Sequence, residues 1–122
     1  MLLFLLACVT TDPGEITVVA EGIVGATGLL LVTEALDVDG NQAAIACLSI
    51  DADPYDATFT MEEIVGSTPG EDSAPIELDG GEYTISSGVI AGGETTPSQC
   101  AEATVTVDGD VTVTLPAFEA CG

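Results

Sequence analysis

Apolar and polar residues alternate with a period of two along most of this chain, and turn-forming residues interrupt the alternation at regular intervals. The pattern predicts strands over residues 16–23, 29–36, 43–50, 57–64, 76–78, 83–89, 101–107 and 111–115. Between them stand Gly25, Asp39-Gly40-Asn41, Asp53-Pro54, Pro69-Gly70, Asp79-Gly80-Gly81, Gly92-Gly93 and Asp108-Gly109. These residue types supply the backbone conformations that turns require. β-branched residues and glycines break up every window long enough for a helix, and only Met61-Glu62-Glu63-Ile64-Val65 offers a single helical turn as an alternative. The expected class is an all-β sandwich of about seven to eight strands.

The last two segments read as a closing hairpin. Val105 and Val107 share one face, and Val111, Val113 and Leu115 alternate with Thr112 and Thr114. A loop of Asp108-Gly109-Asp110 sets Val107 opposite Val111 and Val105 opposite Val113, so that one apolar face forms. A loop shorter by one residue would mix the faces.

Charge narrows the function. The chain has 122 residues with 21 acidic side chains and no Lys, Arg or His, a net charge of −21. Binding nucleic acid, or adhering electrostatically to an anionic bilayer, needs cations that are missing here. Ser86, Ser87 and Ser98 have no His or Lys to activate them. Paired carboxylates could serve a glycosidase or an aspartic dyad. A sugar site usually adds aromatic platforms, however, and the chain has no Trp, two Tyr and three Phe. The reading is therefore not an enzyme and needs no cofactor. An apolar content of 47% argues against a solvated acidic tail and for one packed domain.

Asp37, Asp39 and Asn41 form one acidic cluster, and Asp51, Asp53 and Asp56 form another; Asp108 and Asp110 flank a glycine. Oxygen ligands at such spacing suit Ca²⁺, but Gln42 and Leu48 stand where an EF-hand loop needs Gly and Glu. Turn-making Asx residues are the favoured explanation, with no metal site assigned and divalent cations interacting diffusely.

The first segment, Met1-Leu2-Leu3-Phe4-Leu5-Leu6-Ala7-Cys8-Val9, is apolar and gives way at once to Thr10-Thr11-Asp12-Pro13-Gly14. It is shorter than the roughly 20 residues of a spanning helix. Leu5-Leu6-Ala7-Cys8 resembles the lipobox of bacterial lipoproteins. The resemblance implies that Ala7 is the last residue removed and that Cys8 carries the lipid. Residues 1–8 are then a signal remnant with its lipidation site, residues 9–15 a linker, and residues 16–122 the sandwich domain. Location in a bacterial cell envelope follows, with a membrane anchor of acyl chains and a protein partner in the envelope. The alternative is an apolar first strand packed in the core.

Export also permits disulfides. In the hairpin register above, Cys100 lies opposite Phe118 and Cys121 follows on a tail that Pro116 can bend, which predicts a Cys100–Cys121 bridge. Cys47, within Ala43-Ala44-Ile45-Ala46-Cys47-Leu48, reads as a buried free thiol. The competing pairing joins Cys47 to either of the others.

Leu78-Asp79-Gly80-Gly81-Glu82-Tyr83-Thr84-Ile85, with the valine-rich segments that follow, resembles carboxypeptidase-regulatory-like and Cna-B-type modules over residues 76–115. This implies a prealbumin- or immunoglobulin-like sandwich, with Tyr83 in the core or bonded near a corner. The Lys–Asn cross-link of many Cna-B domains cannot form without Lys. The functional expectation is a non-enzymatic, lipid-anchored envelope module with a structural or partner-binding role; the alternative is a Ca²⁺-dependent binding or adhesion module.

Overall fold

The structure, a computed structural model, describes residues 12–64 and 74–121. Among these residues there are eight strands and no helix: β1 (Ile16–Ile23), β2 (Leu30–Leu36), β3 (Gln42–Ser49), β4 (Tyr55–Thr60), β5 (Gly81–Ile90), β6 (Gln99–Val107), β7 (Val111–Thr114) and β8 (Glu119–Ala120). They build a sandwich of a three-stranded sheet, β4-β1-β7, and a five-stranded sheet, β3-β2-β5-β6-β8.

Period-two patterning decides what faces inward. From β5, Tyr83, Ile85, Ser87 and Val89 point into the core; from β2, Leu31, Thr33 and Ala35 do so. Ile16, Val18 and Ala20 of β1 meet them from the smaller sheet. A bulge between Ala20 and Ile23 inserts an extra residue against β4, which returns Ile23 to the core in place of Gly22. Gly22 tolerates the positive φ of 70° at this point, and its N–H donates to Asp56 Oδ1 at 2.8 Å. The two buried hydroxyls, Thr33 and Ser87, satisfy each other at 2.7 Å.

The expected closing hairpin does not form. β6 and β7 are joined through Asp108, Gly109 and Asp110, but β7 crosses to the other sheet and pairs in parallel with β1, Ile16 opposite Val111 and Val18 opposite Val113. The segment that precedes β1 is bonded to the same loop. Gly109 N–H donates to Asp12 C=O at 3.0 Å and Val111 N–H to Glu15 C=O at 3.0 Å, so residues 12–15 occupy the place beside the loop. In return, Asp108 Oδ1 accepts from Asp12 N–H at 3.0 Å and Asp110 Oδ1 from Glu15 N–H at 2.9 Å. Gly14 makes this approach sterically feasible: a Cβ there would lie 2.2 Å from the Gly109 carbonyl carbon and oxygen. Gly14 also exchanges both backbone bonds with Leu78. The C-terminal part of the expected linker is thus clasped to the domain.

Residues 76–78, expected as a strand, form no named strand: Leu78 makes an isolated pairing with Gly14, and Ile76 N–H donates to Met61 C=O at 3.3 Å beside the Glu62–Pro75 bridge. Met61, offered as part of a helical turn, is buried with extended neighbours, its N–H bonded to Ile16 C=O at 2.9 Å. β8 was not foreseen.

Tyr83 enters the core near the start of β5 and is 8% exposed. Its hydroxyl donates to Asp79 C=O at 2.7 Å, four residues upstream, the geometry of a tyrosine corner. Burial, reinforced by the Asp79 and Asp37 carboxylates, pushes its pKa above the ordinary value near 10. Burial does the same to Tyr55, with Asp51 as the added cause. A raised folded-state pKa in an acid that is neutral when protonated means that the folded protein holds its proton longer than the unfolded chain. The associated stability is complete below pH ~10 and declines as the pH rises through the folded-state values. Denaturant titrations should therefore show stability falling above pH ~10, and Tyr83→Phe should cost about 1 kcal/mol at neutral pH while flattening that fall. An unchanged alkaline slope in Tyr83→Phe would assign the loss to other groups.

Candidate functional site

The sandwich has two poles. At one lie residues 12–15, the Asp37 turn, Asp79-Gly80 and the β6–β7 loop; at the other lie residues 24–29, 50–54 and 91–98. Cys8, the expected lipidation residue, lies outside the described residues.

Asp37 spends its carboxylate on its own turn. Its Oδ1 accepts from Asp39 N–H and from Asn41 N–H, each at 2.9 Å, and its carbonyl accepts from Gly40 N–H at 2.9 Å. This is an Asx turn closing β2 to β3. In the second cluster all three carboxylates are exposed, and Asp56 holds the β1 bulge. Asp108 and Asp110 bind the clasp. Four carboxylates from these groups thus meet backbone N–H donors, where a chain with cations could have used ion pairs. Glu34 accepts from the Gln42 side-chain amide. Among the described residues no group of three or more acidic or Cys side chains is arranged to hold a metal ion.

Cys100 and Cys121 form a disulfide, with Cα atoms 5.2 Å apart. It closes the edge pairing of β8 on β6, where Cys100 stands opposite Glu119, one residue on from the expected Phe118. Cys47 is free, but it is half-exposed rather than buried. Ala44 and Ala46 take the inward positions of β3, so the alternation turns Cys47 to the outer face, opposite Val32. Partial burial raises its thiol pKa.

Concavities among the described residues mark the surface. An apolar hollow of about 280 Å³ sits on the outer face of the larger sheet between Val32, Ile90 and Pro97. Pro97 packs there because Gly88 has no side chain: a Cβ would meet the proline ring at 2.9 Å. A shallower one of about 490 Å³ borders the disulfide and Pro116.

Another lies in the seam between the sheets, a cleft of about 340 Å³ lined by Cys47, Leu48, Phe59, Thr60, Glu62 and Pro75. At its lower end Ile45 and Glu62 exchange backbone bonds at 3.1 and 2.9 Å, tying β3 to the chain that leaves β4. Above that tie the strands belong to different sheets. Alternation turns the N–H and C=O groups of Cys47 and Ser49 to the same side as those of Ile45. On β4, the bond from Met61 N–H to Ile16 C=O sets Phe59 and Ala57 toward β1 and turns Thr58 and Thr60 away. Two strand edges therefore face one cleft, and among the described residues no strand pairs with either above the tie. Leu48 and Phe59, which pack on the core, are half-exposed in the gap. The sequence marked Cys47 but not this cleft, because alternation identifies a face and not which strand ends a sheet.

No protein-family model matches the chain, and no curated protein or solved structure is significantly similar to it.

With carboxylates bonded to amides and spread over both poles, cations should act by screening alone. Adding NaCl should raise the melting temperature gradually, and millimolar Ca²⁺ and Mg²⁺ should act alike without saturating. Thermal scans that showed a saturable, Ca²⁺-selective rise abolished by Asp51→Ala would point to a built site instead.

Proposed function

We propose that this chain is a non-enzymatic, lipid-anchored module of a bacterial cell envelope, with a structural or partner-binding role. The observation that carries the reading is Leu5-Leu6-Ala7-Cys8 immediately ahead of a polar segment that enters a β-sandwich. The clasp at Asp12 supports it. Val9, Thr10 and Thr11 alone separate Cys8 from Asp12, so a lipidated Cys8 would hold the Asp12 pole within about 14 Å of the bilayer surface. The Cys100–Cys121 disulfide agrees with an oxidising compartment outside the cytosol. A cation-free surface gives such a domain no attraction to anionic headgroups, which leaves the acyl chains as the source of membrane affinity.

Membrane fractionation tests this. Cys8→Ala should shift the protein nearly completely from the membrane fraction to soluble or unprocessed pools, and metabolic labelling with a fatty acid should disappear with it. Unchanged fractionation and labelling would rule out Cys8 as the anchor.

A further inference from the structure

We infer that the seam between β3 and β4 accepts an extended peptide segment of a second protein as an added strand, with apolar side chains turned inward and Lys or Arg turned outward. The inference deepens the partner-binding half of the proposed function and does not depend on the anchor.

Three features of the seam define the occupant. The edge of β3 offers the N–H and C=O groups of Cys47 and Ser49, and main-chain bonding of that kind recognises an extended backbone of any sequence. A strand laid there alternates its side chains. Those turned inward meet Leu48 and Phe59, which pack against the core and are half-exposed in the cleft, and so should be apolar. Those turned outward meet a surface with carboxylates at both ends of the cleft: Glu34, Glu62 and Glu63 near the tie, and Asp51, Asp53 and Asp56 near the far pole. The chain has no cation of its own to set against them. A partner with outward Lys or Arg gains attraction along the whole seam, whereas an acidic segment is repelled. The same argument disfavours a second copy of this chain, which would bring another −21 charges to the contact.

Exposed strand edges are templates for unwanted pairing, and proteins commonly blunt them with charge. Thr58, Thr60, Cys47 and Ser49 put no charge on the two facing edges themselves. The acidic side chains lie around the seam, where they exclude another copy of the chain while leaving the backbone accessible.

The test uses the full chain and three synthetic octapeptides: alternating Val and Lys, alternating Val and Glu, and the Val–Lys peptide N-methylated at alternate residues. Calorimetric titration gives affinities, and NMR hydrogen exchange locates the contact. The Val–Lys peptide should bind and slow exchange at Cys47 and Ser49. N-methylation, which deletes main-chain donors without changing charge, should weaken binding by about tenfold or more, as should Ser49→Pro in the protein. The Val–Glu peptide should not bind. Equal binding of the methylated and unmethylated peptides would reduce the contact to diffuse electrostatics and overturn the proposal. It would be overturned equally by protection at β7 or β8 in place of β3, by binding of Val–Glu, or by no binding of Val–Lys. Because the methylated peptide leaves the protein untouched, the result stands even if Ser49→Pro fails to fold.

Discussion

Every charged side chain in this domain repels every other. With 21 carboxylates and no side-chain cation, ion pairs are excluded, and the fold must hold itself by apolar burial, hydrogen bonds and one disulfide. The carboxylates are nevertheless used. Asp37, Asp56, Asp108 and Asp110 each accept from backbone N–H groups, in a turn, a bulge and the clasp of residues 12–15. A carboxylate accepting from an amide is a charge-assisted bond, stronger than its neutral counterpart, and it fixes the backbone where it acts. The acidic groups thus organise the loops while their mutual repulsion works against the compact state.

The clasp shows how far this local chemistry reaches. Bonds from the β6–β7 loop to residues 12–15 bring the chain beside β7 and deliver it into β1. β7 pairs with β1 rather than folding back on β6. The edge of β6 is left for β8, and the Cys100–Cys121 bond secures that short strand. Gly14 is the steric condition for the arrangement, since any side chain would collide with the Gly109 backbone.

Strand positions were largely legible in the sequence because burial on one face imposes a period of two. β1 spans the expected residues, and β2, β3 and β6 differ from expectation by one or two residues at their ends. Partner choice was not legible. Val111 and Val113 satisfy the same alternation whether they pair with β6 or with β1, and the bonds of Asp12 and Glu15 to the β6–β7 loop leave no mark in that pattern. Cys47 illustrates the same limit. Its apolar neighbours suggested burial, but Ala44 and Ala46 hold the inward positions and parity turns the thiol out. The seam could not be read from local pattern at all, because an open edge is defined by the strand that is missing from it. Tyr83 was legible as a core or corner residue, since its spacing from Gly81 and Asp79 lets the ring reach inward while the hydroxyl returns to the backbone.

If carboxylate-to-amide bonds hold the loops, then two acids in one turn should differ sharply. Asp37 accepts two backbone N–H groups, while the Asp39 side chain is exposed two residues away. Equilibrium unfolding in urea of Asp37→Ala and Asp39→Asn, each one negative charge fewer, separates bonding from repulsion. The account predicts that Asp37→Ala is less stable than the parent by about 2 kcal/mol. Asp39→Asn should match or slightly exceed the parent. Equal gains in stability from both substitutions would contradict the account and leave charge repulsion as the sole role of these residues.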